Sequence, residues 1–342
     1  HIMGTGPFKF VEHVSGSHWV GVKNPDYFVK GRPYLDGYRA IFITDTSARF
    51  AAVRSGRALI EFRGASPATR DDLMNALGKQ LTVQESPWIT YITVAINNEK
   101  KPFDDPRVRR ALSLAVDRWE ASRELSRITF MKDVGGILRP GSEFAASEAE
   151  LTKLAGFGRD IEASRREARR LLKEAGVPEG FTFTFKNRDI KMPYEPMGIF
   201  LIDSWRKVGL NARHVVQETG PYIADLRGGN YEASMDFDNL FMDEPDLLLS
   251  KYISANRSPT NFARYNDPKL DGLYEKQSRA TDPAERRRLV REFERIVLDE
   301  KAYQFPALWF QRIILHWAKV KGWRITPSHH LNQDLRDVWL AE

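Results

Sequence analysis

The chain has 342 residues, 42% of them hydrophobic, with 8 Trp, 20 Phe and 11 Tyr: enough for two domains and a sizeable packed core. It contains no cysteine, which excludes disulfides, thiolate nucleophiles and Cys-based metal sites together. Lys and Arg total 52 against 46 Asp and Glu, a net charge of +6, but the densest basic groups (Arg165, Arg166, Arg169, Arg170; Arg286, Arg287, Arg288) are interleaved with Glu on helical segments. They read as solvated helix faces with i,i+4 ion pairs, and no nucleic-acid partner is expected. No apolar run approaches the ~20 residues of a membrane-spanning helix.

In chain order, His1-Ile2-Met3 reads as a tag remnant. Phe8, Phe10 and Trp19 alternate with polar residues, as in a half-buried strand. Residues 38–45 read as a strand, followed by a helix capped by Thr46 or Ser47 and ended by Gly56. Ser66-Pro67 opens a second helix that ends near Gly78, and residues 88–96 are rich in strand formers. From Asp105 the pattern changes to helices alternating with strands. Pro106 stands at the first position of a helix, and residues 161–175 form an amphipathic helix stopped by Gly176 and Pro178. Residues 181–185, 210–216 and 231–238 read as strands, with helices at 196–208, 221–227 and 245–253. This alternation implies a largely parallel sheet covered on both faces. Asp282-Pro283-Ala284-Glu285 combines an N-cap, a proline at N1 and an acid at N3, and residues 305–317 return to strand character. Residues 323–339 are irregular.

Several segments, in this order, resemble the dipeptide/oligopeptide/nickel class of ABC-transporter solute-binding proteins. Gly4-Thr5-Gly6-Pro7-Phe8-Lys9-Phe10 looks like that family's "GTGPYKF" signature. Asn24-Pro25-Asp26-Tyr27 with Gly31-Arg32-Pro33-Tyr34-Leu35-Asp36 resembles its "NPDYW…G.P.LD". Ala51-Ala52-Val53-Arg54-Ser55-Gly56 matches its "aal.sGe.D" helix. Phe103-Asp104-Asp105-Pro106-Arg107-Val108-Arg109-Arg110-Ala111-Leu112 with Asp117-Arg118 is similar to "F.D.rVR.Al..aiDR". Residues 168–176 fit "A..lL.eAG", and Asn261-Phe262 through Tyr265 to Leu273 is similar to "N...y.np..D.ll".

The resemblance implies an α/β fold of the two-lobed periplasmic binding protein type II kind, with mixed sheets and helices on both faces. Because the family carries its "GTGPY" signature in mid-chain, it also implies a truncated chain whose first lobe, residues 4–105 plus 308–342, is incomplete. The second lobe would be residues 106–307, with the family's hinge near 97–103 and 305–309. The implied function is capture of a solute, peptide-like, opine-like or otherwise polar, in a cleft that closes by hinge motion. The implied partner is an ABC permease in the inner membrane, the implied location is the periplasm, and the implied state is a monomer without cofactor or catalytic chemistry.

Ligands in open α/β sheets sit beyond the carboxyl ends of strands, so the strand 231–238 directs attention to Asp236, Asp238, Asn239, Phe241, Asp243, Glu244 and Asp246. The functional reading is recognition of a cationic or hydroxyl-rich solute. The structural reading makes Asp243 and Asp246 partners of the next helix's dipole. In the family's "W.aDY.dP" loop an aspartate holds a peptide's amino terminus. Its counterpart here is Phe241, which puts peptide specificity in doubt, with Asp238 or Asp243 as substitutes by a register shift. Tyr91, Asn97, Trp309, Asn261 and Phe262 complete the ligand-binding candidates, although aromatics on central strands are more often core.

Two rival readings remain at this point. A hydrolase would use Asp236, Asp238 and Glu244 as paired carboxylates, but the common catalytic motifs are absent. A fragment that no longer binds solute would act as an interaction module. His329-His330 with Asp334 makes a weak metal site, because adjacent histidines diverge on a regular element.

Overall fold

The structure, a computed structural model, describes residues 4–328, 330 and 334–342, with the backbone alone at Asp238 and Asn239. The chain divides into two compact units, His1–Trp88 with Gln311–Glu342, and Ile89–Phe310. This division falls at Trp88/Ile89 and Phe310/Gln311, while the lobes implied by the resemblance divide at 105/106 and 307/308. Both cuts of the compact units fall part-way along long strands, Leu81–Ile96 and Gln304–Trp317.

The first unit opens with β1 (Phe8–Val14), β2 (His18–Lys23) and β3 (Gly37–Ile41), an antiparallel sheet in the order β1-β2-β3. Then comes α1 (Thr46–Arg54). Its N-cap is Asp45 and not Thr46 or Ser47: Asp45 keeps an extended backbone, and its carboxylate accepts from the amide of Ala48 at 2.7 Å. Strand β3 accordingly stops short of 45. Helix α2 (Pro67–Leu77) starts as the sequence predicts, with Ser66 as cap and Pro67 at its first turn. Phe50, Val53, Ala65, Leu73 and Leu81 form one core with Ile313 and Leu315.

Strand β4 (Leu81–Ile96) leads into the second unit. There follow α3 (Pro106–Leu114) and α4 (Arg118–Ile128), capped by Asp105 and Asp117, β5 (Met131–Asp133), α5 (Glu148–Leu151) with a Ser147/Glu150 capping box and α6 (Ile161–Glu174). Next are β6 (Phe181–Arg188), α7 (Tyr194–Arg206), β7 (Leu210–Gln217), α8 (Thr219–Gly228) and β8 (Ala233–Asn239). Helix α9 (Pro245–Leu249) continues as a 3-10 turn, Ser250–Tyr252. Helices α10 (Pro268–Arg279) and α11 (Pro283–Arg295) precede β9 (Gln304–Trp317). The expected cap holds at α11, where Asp282 accepts from the amides of Ala284 and Glu285. Two short strands, β10 (Val320–Lys321) and β11 (Trp339–Leu340), pair antiparallel. Beside them Trp323 packs with Ile314, Val320 and Val338.

The main sheet has six strands in the order β5-β9-β4-β8-β6-β7. It is mixed rather than largely parallel. Strand β6 pairs parallel with β7 and β8, where helices make the crossovers, but β4 runs antiparallel to β8 and β5 antiparallel to β9. Alternation along β6 puts helices on both faces. Phe183 and Phe185 meet Trp205 of α7, while Lys186, on the opposite face, is ion-paired with Asp225 of α8. An extensive core lies in this unit, around Phe293, Val290, Tyr252, Leu248 and Trp309.

Candidate functional site

The region singled out by sequence is the passage from β8 through the connecting loop into α9. Asp236 stands opposite Thr93 of β4, on the face of β8 that also carries Ser234, whose hydroxyl is 3.3 Å from that of Tyr222. Asp236 is 2% exposed. One carboxylate oxygen lies 2.5 Å from Nζ of Lys251 on the 3-10 turn, and the other accepts from the amide of Phe237. Burial of both charged groups makes this pair sensitive to loss of either partner. Lys251 also lies 5.4 Å from the ring centroid of Phe262. The Asp236 charge, second to burial, pushes the Tyr222 and Tyr231 hydroxyls above their ordinary range.

Asp243 is held by Arg139. The guanidinium Nε donates to both carboxylate oxygens at 2.9 and 2.7 Å, and its Nη2 lies at 2.6 Å. This contact replaces the helix-dipole role expected of Asp243. The cap of α9 is Glu244, whose side chain accepts from the amide of Asp246 and is also ion-paired with Arg286. Asp246 receives the side chains of Gln277 and Ser278 and lies 3.6 Å from Arg286. Phe241 and Met242, between these acids, are 44% and 43% exposed. The side chains of Asp238 and Asn239 lie outside the described residues, as does His329 of the His329-His330 pair. Among the described residues no group of three or more His, Cys, Asp or Glu is placed to hold a metal ion.

The other candidates are interior. Tyr91 stacks on Trp309, ring centroids 4.2 Å apart, and its hydroxyl meets that of Tyr252 at 2.9 Å. The Trp309 indole N–H donates to the carbonyl of Gly136. Asn97 has no exposed surface. Its amide donates to the carbonyls of Gly229 and Tyr231, and its oxygen accepts from the amide of Glu99. Asn261 is used the same way, donating to the carbonyls of Ile253 and Tyr265 and accepting from the amide of Arg264. Phe262 is half-buried against the Ala95, Tyr222, Leu226 and Tyr231 cluster. The structure thus gathers Asp236, Asp243 and Phe241 in one passage of chain, and uses Asn97, Asn261, Tyr91 and Trp309 as internal braces.

Lys251, Arg139 and Arg286 are the residues that sequence reasoning missed. Their partners are remote along the chain, so no local spacing marks them. Because Asp236 and Glu244 each face a cation, they do not form the free carboxylate pair that a glycosidase-like hydrolase requires.

Residues 1–259 match the family described as bacterial extracellular solute-binding proteins, family 5 Middle. The glutathione-binding protein GsiB of Salmonella paratyphi A is 27% identical over 347 residues, covering 99% of this chain and 65% of that protein. The di/tripeptide-binding protein 1 of Pseudomonas aeruginosa is 27% identical over 303 residues, covering 87% of this chain and 54% of that protein. The chain therefore spans between about half and two thirds of the length of these relatives. Among solved structures, the periplasmic binding protein DppA of Helicobacter pylori, in complex with the peptide STSA, superposes with a TM-score of 0.82 at 23% identity, covering 99% of this chain and 63% of that one. AgaA in complex with agropinic acid, from A. tumefacien R10, gives a TM-score of 0.80 at 23% identity, covering 98% and 67%. These likenesses show the fold, that of the periplasmic binding proteins.

Proposed function

The chain belongs to the bacterial extracellular solute-binding proteins of family 5, and from that membership we propose that it serves the capture of a small solute for delivery to an ABC permease of the inner membrane. The family match over residues 1–259 is the observation that carries the reading. The solute is peptide-like, opine-like or otherwise polar, a range supported by the glutathione, di/tripeptide and agropinic acid named for its relatives and structural neighbours. The protein acts in the periplasm, as a monomer, and releases its solute chemically unchanged.

On this reading Phe241, with Asp238, Asn239 and Phe262, touches the solute. Asp236, Asp243, Tyr91, Asn97, Trp309 and Asn261 support those contacts from within. The internal use of the amides of Asn97 and Asn261 favours this division.

A thermal-shift panel of glutathione, di- and tripeptides and agropinic acid tests the proposal, with the chain and a form extended to the length of its relatives measured side by side. A ligand at a hundred times its Kd stabilises the native state by about 2.7 kcal/mol. A selective shift by one class supports the reading. Hydrolysis of a panel member, or no shift from any member with the extended form, would overturn it.

A further inference from the structure

We propose that Lys251, Arg139 and Arg286 are positioning residues that neutralise Asp236 on β8 and Asp243 and Glu244 before α9, and hold residues 240–246 in one arrangement, with Phe241 and Met242 outward. The inference rests on the solute-capture reading and assigns this loop an apolar contact with the solute in place of a carboxylate contact.

Three clamps carry it. At the base, Asp236 leaves the sheet face and Lys251 returns on the 3-10 turn, and their 2.5 Å contact, with both side chains at most 5% exposed, brings together the two ends of the excursion. At the crown, Arg139 grips both oxygens of Asp243, with only 12% and 24% of the two side chains exposed. At the entry to α9, Arg286 pairs with Glu244, lies 3.6 Å from Asp246 and donates from Nε to the side-chain oxygen of Gln277 at 3.1 Å. A planar guanidinium bonded in this way occupies the carboxylate lone pairs and cancels the charge at close range. An ammonium group on a solute would have to displace an internal cation from a partly desolvated pair. Between the clamps, Phe241 and Met242 keep more than two fifths of their surface exposed, and apolar surface favours an apolar partner.

Hydrogen exchange and NMR on the whole chain test this without a solute, so their failure is distinct from failure of the capture reading. In Arg139→Gln, and in the double variant Asp236→Leu with Lys251→Met, the amides of 240–244 and 246 should exchange at least ~10-fold faster than in the wild type while those of α6 are unchanged. The double variant isolates positioning from stability, because an apolar pair of similar volume avoids a buried lone charge. Exchange of these loop amides within twofold of wild type in both variants would overturn the proposal, as would equal acceleration in α6, the mark of global opening. Methylammonium is the second probe. Its titration should leave the signals of the same loop amides unmoved in the wild type and move them in Arg139→Gln, and equal movement in both would overturn neutralisation.

Discussion

Arg118 lies over the ring of Phe157, its guanidinium carbon 4.4 Å from the ring centroid, with the ring of Phe305 at 5.0 Å. It is 1% exposed and donates to the carbonyls of Ser113, Gly156 and Pro306 and to the hydroxyl of Ser113. One arginine of the "DR" segment thus ties the end of α3, the 156 turn and the start of β9. Replacing Arg118 with Met should remove the guanidinium donors from these buried oxygens and cost about 3 kcal/mol, since the loss of a buried hydrogen-bond partner costs roughly 1–3 kcal/mol and the Ser113 carbonyl keeps the amide of Val116. Lysine, whose three donors radiate from a single nitrogen, cannot span all these oxygens and should recover only part of this. Urea unfolding of both variants checks the order wild type, Lys, Met.

The turn that faces Arg118 needs glycine. Gly156 has φ +82, and a Cβ there would sit 2.5 Å from the Ser113 carbonyl and 2.6 Å from Nη1 of Arg118. Gly156→Ala combines a left-handed backbone with a collision, so a loss of roughly 2–3 kcal/mol is expected in chemical denaturation. Gly176, also at positive φ but with nothing within 4 Å of its Cβ position, should lose less on the same change.

In the first unit, His316 donates from Nδ1 to the carbonyl of Trp317, and its Nε2 accepts from the side-chain amide of Gln84, both at 3.0 Å. Burial pushes the imidazole below its ordinary 6.5, with the Lys321 charge acting in the same direction and the Trp317 carbonyl opposing. A depressed pKa in the folded state means that the unfolded chain binds the proton more readily. The stability contributed by neutral His316 is full above pH 6.5 and is lost as the pH falls through the lower folded value, at about 1.4 kcal/mol per pKa unit of difference. His214 is shifted the same way by burial, so the informative quantity is the difference between wild type and His316→Gln. Melting temperatures from pH 7 to pH 5 should fall less steeply in the variant.

Asn97 tests the division between braces and contacts. Asn97→Ala leaves the carbonyls of Gly229 and Tyr231 and the amide of Glu99 without their side-chain partner, and should lower stability by about 2–3 kcal/mol. With a ligand from the thermal-shift panel, its Kd should change less than threefold at a temperature where the variant is folded. Phe241→Ser should do the reverse, leaving stability within about 0.5 kcal/mol while weakening binding at least ~10-fold.

Local signals proved readable where they act locally. Ser66, Asp105 and Asp282 are helix caps because a short side-chain acceptor and a following proline suit the first turn whatever lies around it. Asp45 took the cap from Thr46 because one residue decides where the backbone turns helical. The direction of β4 against β8 was not readable, since strand pairing joins residues more than a hundred positions apart.

The same physics divides the candidate site. From the sequence alone come the family, the alternation that builds β6 to β8, and the acidic passage from Asp236 to Asp246. Only the tertiary structure decided what those acids do, by bringing Arg139 to Asp243, Arg286 to Glu244 and Lys251 to Asp236. Arg109 and Arg118 show the same limit: both are nearly buried and bonded to carbonyls, although arginine in sequence reads as a surface residue. A charge takes its role from desolvation and from partners folded against it, and neither is encoded in the spacing of its neighbours along the chain.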